Sequence, residues 1–385
     1  MESKVTPNLP PSLSRSNGTK RSTKPKASRK PGRKRKWARR FGMLAVSMMF
    51  AGLVFLGWFF FTNSGNQLRY MMADTLITTQ HRHWAKYLIG SKGLEEQVNK
   101  YTKQFEAMAE VPSTIPVHIT PVSEPVKEEK KKRELVEIEP IKGAKFSGYL
   151  VSISDPKAIR IAVPERANKG EKVSSMVKRT GAVLGVNAGG FVDPNWEGNG
   201  FQPTGLVMAG GKVFYNDGDN NTPTQIVGID KDGRLVAGRY TPKQLLDMGV
   251  REAVTFSPKF IVDGKGLIKS QADGWGIAPR TCIAQKEDGT ILFAIIDGRQ
   301  THSIGATLYD VQQIFLEHGA IIAANLDGGS STVLVHKNEI VNKPASPYGE
   351  RYLPTAFLVF EHPEQATIKN VWEGLDISKI DPSKW

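Results

Sequence analysis

Apolar residues run almost unbroken from Phe41 to Phe61, inside a stretch with no charged residue between Arg40 and Arg69. About 20 residues at roughly 1.5 Å rise cross a hydrocarbon core about 30 Å thick. The run therefore predicts a transmembrane helix over 41–62, with Trp37 and Trp58 placed for the two interfaces. A cleaved signal peptide is the competing reading, but its apolar core is usually shorter. Beyond the run the period changes. Leu76, Trp84, Tyr87, Leu88, Leu94 and Val98 recur at helical spacing and predict a helical stalk over 63–110. Residues 111–142 hold five prolines and the run Lys127–Arg133, which predicts a linker.

From 143 to 361 the pattern becomes short β-branched runs separated by Gly and Asp-Gly turns. Gln225–Asp230 with Arg234–Ala237, Phe260–Val262 with Gly266–Ile268, and Thr281–Gln285 with Thr290–Ile296 read as hairpins. Helices are fewer. Lys172–Arg179 has one apolar face and Gly181 to close it. Thr241-Pro242 opens a second helix. Thr307–His318 is the clearest, with Thr307 and Asp310 spaced as a capping box and Gly319 as its stop. This mixture predicts an α+β fold, with mixed or antiparallel β-sheets, a few covering helices and one N-terminal transmembrane helix. Residues 362–385 form a C-terminal extension.

Charge alters the picture less than its total suggests. The net charge is +14, but residues 1–40 hold 14 Lys and Arg against one acid, Glu2, so the rest of the chain is nearly neutral. That argues against a nucleic-acid-binding domain, which needs a broad positive field. The basic residues 33–40 mark 1–40 as a cytoplasmic tail, place the C-terminal bulk outside the cell, and suit anionic lipid headgroups. The single cysteine, Cys282, excludes an intramolecular disulfide and reads as a buried inert thiol.

Candidate chemistry concentrates where two segments share one design: a helix, a glycine stop, an apolar strand, then a polar, glycine-rich end. Val183–Val186 runs into Asn187-Ala188-Gly189-Gly190-Phe191. Ile321–Ala324 runs into Asn325-Leu326-Asp327-Gly328-Gly329-Ser330-Ser331-Thr332. Paired glycines let backbone N–H groups approach an anion, and the hydroxyls add donors. An Asp-Gly pair alone is an ordinary turn; three hydroxyls after a second glycine are not needed by one. Arg280, opening a strand, suits phosphate or carboxylate recognition or an edge-strand ion pair. Asp297 and Arg299 flank Gly298 and read as a turn pair or as site residues. His302, just beyond, reads as an acid or base or as a polar contact. No catalytic zinc pattern, G-x-S-x-G elbow or P-loop is present. A plain solvated turn explains Asp217 and Asp219 better than calcium does, so neither metal nor cofactor is expected.

The set NAGGF (187–191), PTGLV (203–207), PRT (279–281), DGR (297–299), NLDGGSST (325–332) and ER (350–351) resembles the phosphodiester glycosidase family over roughly 145–361. The resemblance implies hydrolysis of a sugar C1–O–phosphate bond, in envelope or exopolysaccharide metabolism. It places Asp327, with Asp297 or Glu350, as catalytic carboxylates. Substrate would be held by Asn187, Gly189, Gly190, Arg280, Thr281, Arg299, His302, Gly328, Gly329, Ser330, Ser331, Thr332 and Arg351. The late Glu-Arg-Pro is only partly matched, because Tyr352-Leu353 displaces the proline. Two other classes remain open: a glycan-binding or assembly protein without turnover, and a glycosyl or phosphoryl transferase acting on envelope polymers.

Overall fold

The computed structural model describes residues 33–77, 79, 81–114, 117, 134–194, 199–376 and 379. Most of the basic tail and the charged run of the linker lie outside the described residues. The chain divides into two compact units, Met1–Thr62 and Asn63–Trp385. The first holds one helix, α1 (Arg33–Phe61), of which Trp37–Phe61 is long and apolar enough to cross a membrane. It starts before the apolar run because Arg, Lys and Ala are good helix formers.

The second unit opens with α2 (Asn63–Ile77) and α3 (Lys86–Glu110), joined through a short 3-10 turn at Arg82–Ala85. The segment expected to be a stalk is not a spacer. Ala73, Ile77, Ala85 and Tyr101 are buried in one cluster with Phe260, Trp275 and Phe315 of the main domain. Lys259 Nζ donates to the carbonyls of Ala109 (3.1 Å) and Val111 (2.7 Å), tying down the end of α3. The apolar stripe read from the sequence is real; its partner is a β-sheet face, which spacing along a helix cannot reveal.

The main domain follows in the order β1 (Val136–Lys142), β2 (Ser147–Ile153), β3 (Ile159–Ala162), α4 (Val173–Thr180) and β4 (Leu184–Asn187). Next come β5 (Leu206–Ala209), β6 (Lys212–Asn216), β7 (Thr224–Asp230), β8 (Leu235–Tyr240), α5 (Pro242–Asp247) and β9 (Val250–Thr255). Then β10 (Lys259–Val262), β11 (Lys265–Gly266), β12 (Arg280–Lys286), β13 (Ile291–Ile296), α6 (Leu308–Glu317) and β14 (Ala320–Asn325) lead to β15 (Leu334–His336), β16 (Glu339–Ile340) and β17 (Ala356–Val359). β1 lies in the stretch read as linker. It forms an edge strand against β2, where Pro140 costs no ladder bond that a neighbour would need.

Three sheets result, with orders β1-β2-β13-β12-β14-β10-β11, β16-β15-β4-β17-β3 and β6-β5-β9-β7-β8. Every pairing among these named strands is antiparallel. One face of the seven-stranded sheet packs on the other two sheets through Val151, Ile283, Phe293, Val186, Phe357 and Val207. Its opposite face is covered by α6, α2 and α3. Burial on both faces explains why β12, β13 and β14 read as continuous apolar runs rather than alternating ones. The hairpins β7–β8, β10–β11 and β12–β13 form as expected. Both Thr241 with Gln244 and Thr307 with Asp310 close reciprocal capping boxes.

The helix α4 packs so closely on β4 that a Cβ at Gly185 would lie 2.5 Å from Val177 and 2.8 Å from Val173 and Leu358. Gly185→Ala is therefore expected to lower the unfolding free energy by about 1–3 kcal/mol. The check is a lower urea midpoint at unchanged slope.

Candidate active site

Antiparallel pairing decides where the chemistry gathers. β12 pairs with β13 (Arg280 opposite Ile296) and with β14 (Cys282 opposite Asn325), so the start of β12 and the ends of both neighbours share one sheet edge. Arg280, Asp297 and Asp327 all leave from that edge. The end of β4, in a different sheet, is brought to it by Asn187.

Asn187 is fully buried and spends both ends of its amide on backbone and core. Its Nδ2 donates to the Asp327 carbonyl, and its Oδ1 accepts from Thr281 Oγ1 (2.9 Å) and Val333 N–H (3.0 Å). Asp327 N–H returns a bond to the Ala188 carbonyl at 3.0 Å. The Asn-Ala-Gly-Gly and Asp-Gly-Gly-Ser-Ser segments are thus one hydrogen-bonded structure, and Asn187 and Thr281 position it rather than orient a sugar hydroxyl. Gly189 is also internal: a Cβ there would sit 2.9 Å from Val254.

An open cleft of about 750 Å³ lies beside this junction. Of the expected residues, Gly190, Arg280, Arg299, Asp327, Arg351 and the loop Gly328–Ser331 line it. Asn187, Gly189, Thr281, Asp297, His302, Thr332 and Glu350 do not. Two of the three expected carboxylates therefore serve the scaffold. Asp297 accepts from Asn342 Nδ2 and Lys343 N–H (both 3.0 Å) and pairs with His302 Nε2 at 3.1 Å, so the histidine is a polar contact behind the cleft. Glu350 accepts from the N–H and hydroxyl of Ser174 in the first turn of α4, where helix N–H groups lack internal partners.

Asp327 differs. Its Oδ2 is sealed from solvent and has no hydrogen-bond partner. Burial pushes its carboxyl up to about 6, while the nearby Ser331 side chain and Arg351 pull it back only in part and Asp193 adds to the rise. Asp193, not weighed in the sequence, is the acid beside it; it lies two residues past the Asn-Ala-Gly-Gly-Phe motif and forms a buried ion pair with Arg351. Arg351 also lies 4.9 Å over the Phe191 ring, which fixes its guanidinium.

The two remaining arginines divide their work. Arg280 is buried, and burial draws it down to about 10. Its Nε donates to Ala306 (3.1 Å) and its Nη2 to Trp275 and Gly276 (both 2.8 Å). That edge of the fork is committed to backbone, so the expected bidentate grip on a ligand is not available from it. Arg299 is exposed, bonded only to Ser330 Oγ at 3.3 Å, and has no carboxylate partner among the described residues. It lies against Gly329, where a Cβ would come 3.5 Å from its Nη2. Cys282, fully buried and pushed up to about 12 by burial, is the inert thiol the sequence suggested.

No group of three or more metal-ligating side chains occurs among the described residues. The cleft therefore offers one carboxyl of raised pKa, an unpaired guanidinium and a glycine-hydroxyl loop: groups suited to an anion beside a reacting centre.

Comparison with known proteins places the domain among relatives. The chain is 30% identical over 212 residues to the SPbeta prophage-derived uncharacterized protein YomE of Bacillus subtilis (strain 168), covering 53% of this chain and 31% of that protein. It is 24% identical over 158 residues to the bovine N-acetylglucosamine-1-phosphodiester alpha-N-acetylglucosaminidase, covering 37% of this chain and 29% of the enzyme. The chain thus spans about a third of the length of either relative. The zebrafish N-acetylglucosamine-1-phosphodiester alpha-N-acetylglucosaminidase catalytic domain, solved auto-inhibited by its pro-peptide, shares the fold with a TM-score of 0.50 at 20% identity, over 65% of this chain and 88% of that one. Residues 180–360, which hold every cleft group discussed above, match the family profile described as phosphodiester glycosidase, so this segment is a phosphodiester glycosidase domain.

Proposed function

We propose that the protein hydrolyses the bond between a sugar C1 and the oxygen of a phosphodiester, releasing the sugar and leaving a phosphomonoester. The observation that carries this reading is one cleft lined by both Asp327, whose Oδ2 is sealed and has no hydrogen-bond partner, and Arg299, which has no carboxylate partner among the described residues. The family-level activity supports it. A phosphate leaving group needs little protonation, so the site can work without a second carboxylic acid. The tasks left are to hold the anion, to stabilise an oxocarbenium-like transition state and to activate water.

In this mechanism Arg299 holds the phosphate with the N–H groups and hydroxyls of the Gly328–Ser331 loop, and Arg280, which also lines the cleft, adds charge. Asp327 takes a proton from water as the water oxygen bonds to C1. The C1–O electron pair leaves with the phosphate, whose new charge the arginines stabilise. We place this domain on the extracytoplasmic side of a membrane anchored by Trp37–Phe61, with the basic residues before it retained in the cytoplasm and available to anionic lipids. An envelope or exopolysaccharide glycan is the substrate source this topology favours.

Asp327→Asn in the full chain is expected to lower kcat on a sugar-1-phosphodiester by at least about 100-fold. Full activity in this variant rejects the mechanism. The charged carboxylate is the working form, so wild-type kcat/KM should rise with pH through about 6, and Asp327→Asn should remove that limb. The stability sign is opposite. The folded pKa exceeds the unfolded one, so charging Asp327 costs stability as pH rises to about 6. The variant's melting temperature at pH 7.5 should therefore not fall below wild type.

Removing the free guanidinium is a separate test. A hydrogen bond to a charged group is worth about 1.5–3 kcal/mol. Arg299→Ala should cost that much in kcat/KM, roughly 10- to 150-fold. An unchanged kcat/KM would remove Arg299 from the phosphate site.

A further inference from the structure

The cleft does not end at the Asp327 loop. Its far wall is built by the α2–α3 segment, which lies outside the family match at 180–360. Arg82 precedes α3, Tyr101, Phe105 and Glu106 lie on α3, and Arg239 faces them from β8. This wall is fixed in place. Asp74 of α2 accepts from Gln97 of α3 at 2.8 Å, and Gln97 also donates to the Tyr101 hydroxyl at 2.9 Å. Ile277 N–H donates to Thr75 Oγ1 at 3.2 Å, joining α2 to the loop that carries Trp275.

The groups at this end are those of an anion and sugar site. Arg82 uses Nε on the Ile77 carbonyl (3.3 Å) and Arg239 uses Nη2 on the Pro223 carbonyl (3.3 Å); neither has a carboxylate partner among the described residues. The whole cleft is lined by five arginines against two acids, Glu106 and Asp327. Between its two ends lies Trp275, 1% exposed, whose Nε1–H has no acceptor. Phe105 meets its ring edge-on at 4.8 Å and Tyr101 at 6.1 Å. A buried indole N–H without a partner is unusual in a folded protein and marks this wall as more than plain core. A volume of about 750 Å³ also exceeds what one sugar and one phosphate fill.

We infer that the α2–α3 segment builds a second subsite, which takes the phosphate-bearing side of the substrate as a chain with a further phosphodiester. Arg82 and Arg239 bind that next phosphate, and the partly exposed Phe105 ring, backed by the buried Trp275, carries the sugar or polyol between the two phosphates. The substrate class is then a phosphodiester-linked polymer rather than a small diester. The inference rests on the proposed reaction for the scissile end, while the subsite binds independently of turnover.

Two measurements on the full chain in detergent separate the questions. The first compares kcat/KM for N-acetylglucosamine-1-(methyl phosphate) with that for the same sugar phosphate carried on a glycerol-phosphate tetramer. The wild type should prefer the longer substrate, and Arg82→Ala with Arg239→Ala should reduce that preference at least tenfold, through KM. The second measures calorimetric binding of the glycerol-phosphate tetramer without sugar. Binding should weaken at least tenfold in the double variant and weaken with added salt. Turnover of the methyl diester with no preference for length, or tetramer binding that ignores both arginines, overturns the subsite. Arginine-dependent tetramer binding without turnover of either substrate upholds the subsite and rejects the reaction instead.

Discussion

The site depends on one buried amide. Asn187 stands at the end of a strand in one sheet and holds, through two hydrogen bonds, the segment that follows β14 in another, and through a third, Thr281 of β12. Each partner is a backbone group or a core hydroxyl, so all are buried groups that would otherwise lack partners. The geometry of Asp327 follows from this. Its main chain is pinned on both sides, by Asn187 at the carbonyl and by Ala188 at the N–H. The carboxyl is thereby held where it is largely desolvated. A free surface loop would let it turn to water and recover an ordinary pKa.

What the sequence disclosed and what it withheld divide along a physical line. Local periodicity gave the apolar helix, the hairpins around Asp-Gly turns and the capped helix after Thr307, because each is decided by residues near in sequence. It also identified the two glycine-rich strand ends, since their composition exceeds what a turn requires. It did not show that Asn187 faces inward, because a polar residue at a strand end satisfies either a ligand or a neighbouring backbone. The same ambiguity covers Asp297 and Glu350. Both sit in family-like motifs, and both prove to be held by scaffold N–H groups that are distant in sequence. Asp193 is silent in the sequence for the converse reason: a lone acid two residues after a phenylalanine carries no pattern until Arg351 is seen beside it.

The α2–α3 segment makes the same point at larger scale. An amphipathic helix states that it has an apolar partner and leaves that partner unnamed. Here the partner is the face of the seven-stranded sheet opposite the main core. That face needs cover in any case, because its strands are apolar on both sides. A segment recruited to cover the sheet lies close to the edge where β12 begins and β14 ends, which is the edge that forms the cleft. Packing requirements and access to the site are therefore met by the same helices.

Charge in the cleft is graded from one arginine to the next. Arginines near a binding site usually have acidic neighbours that hold them and reduce their pull on a ligand. Arg351 follows that rule with Asp193, and its guanidinium is further fixed by Phe191. Arg280 is held by carbonyl dipoles instead, which orient it without cancelling its charge. Arg299 has neither, only a hydroxyl. Moving from Arg351 to Arg280 to Arg299, the neutralisation of each cation falls while its freedom to meet a ligand rises. Such a gradient is costly in an empty site, since unpaired cations crowd one cleft. The fold that carries them is secured by two apolar cores built from the three sheets and their covering helices.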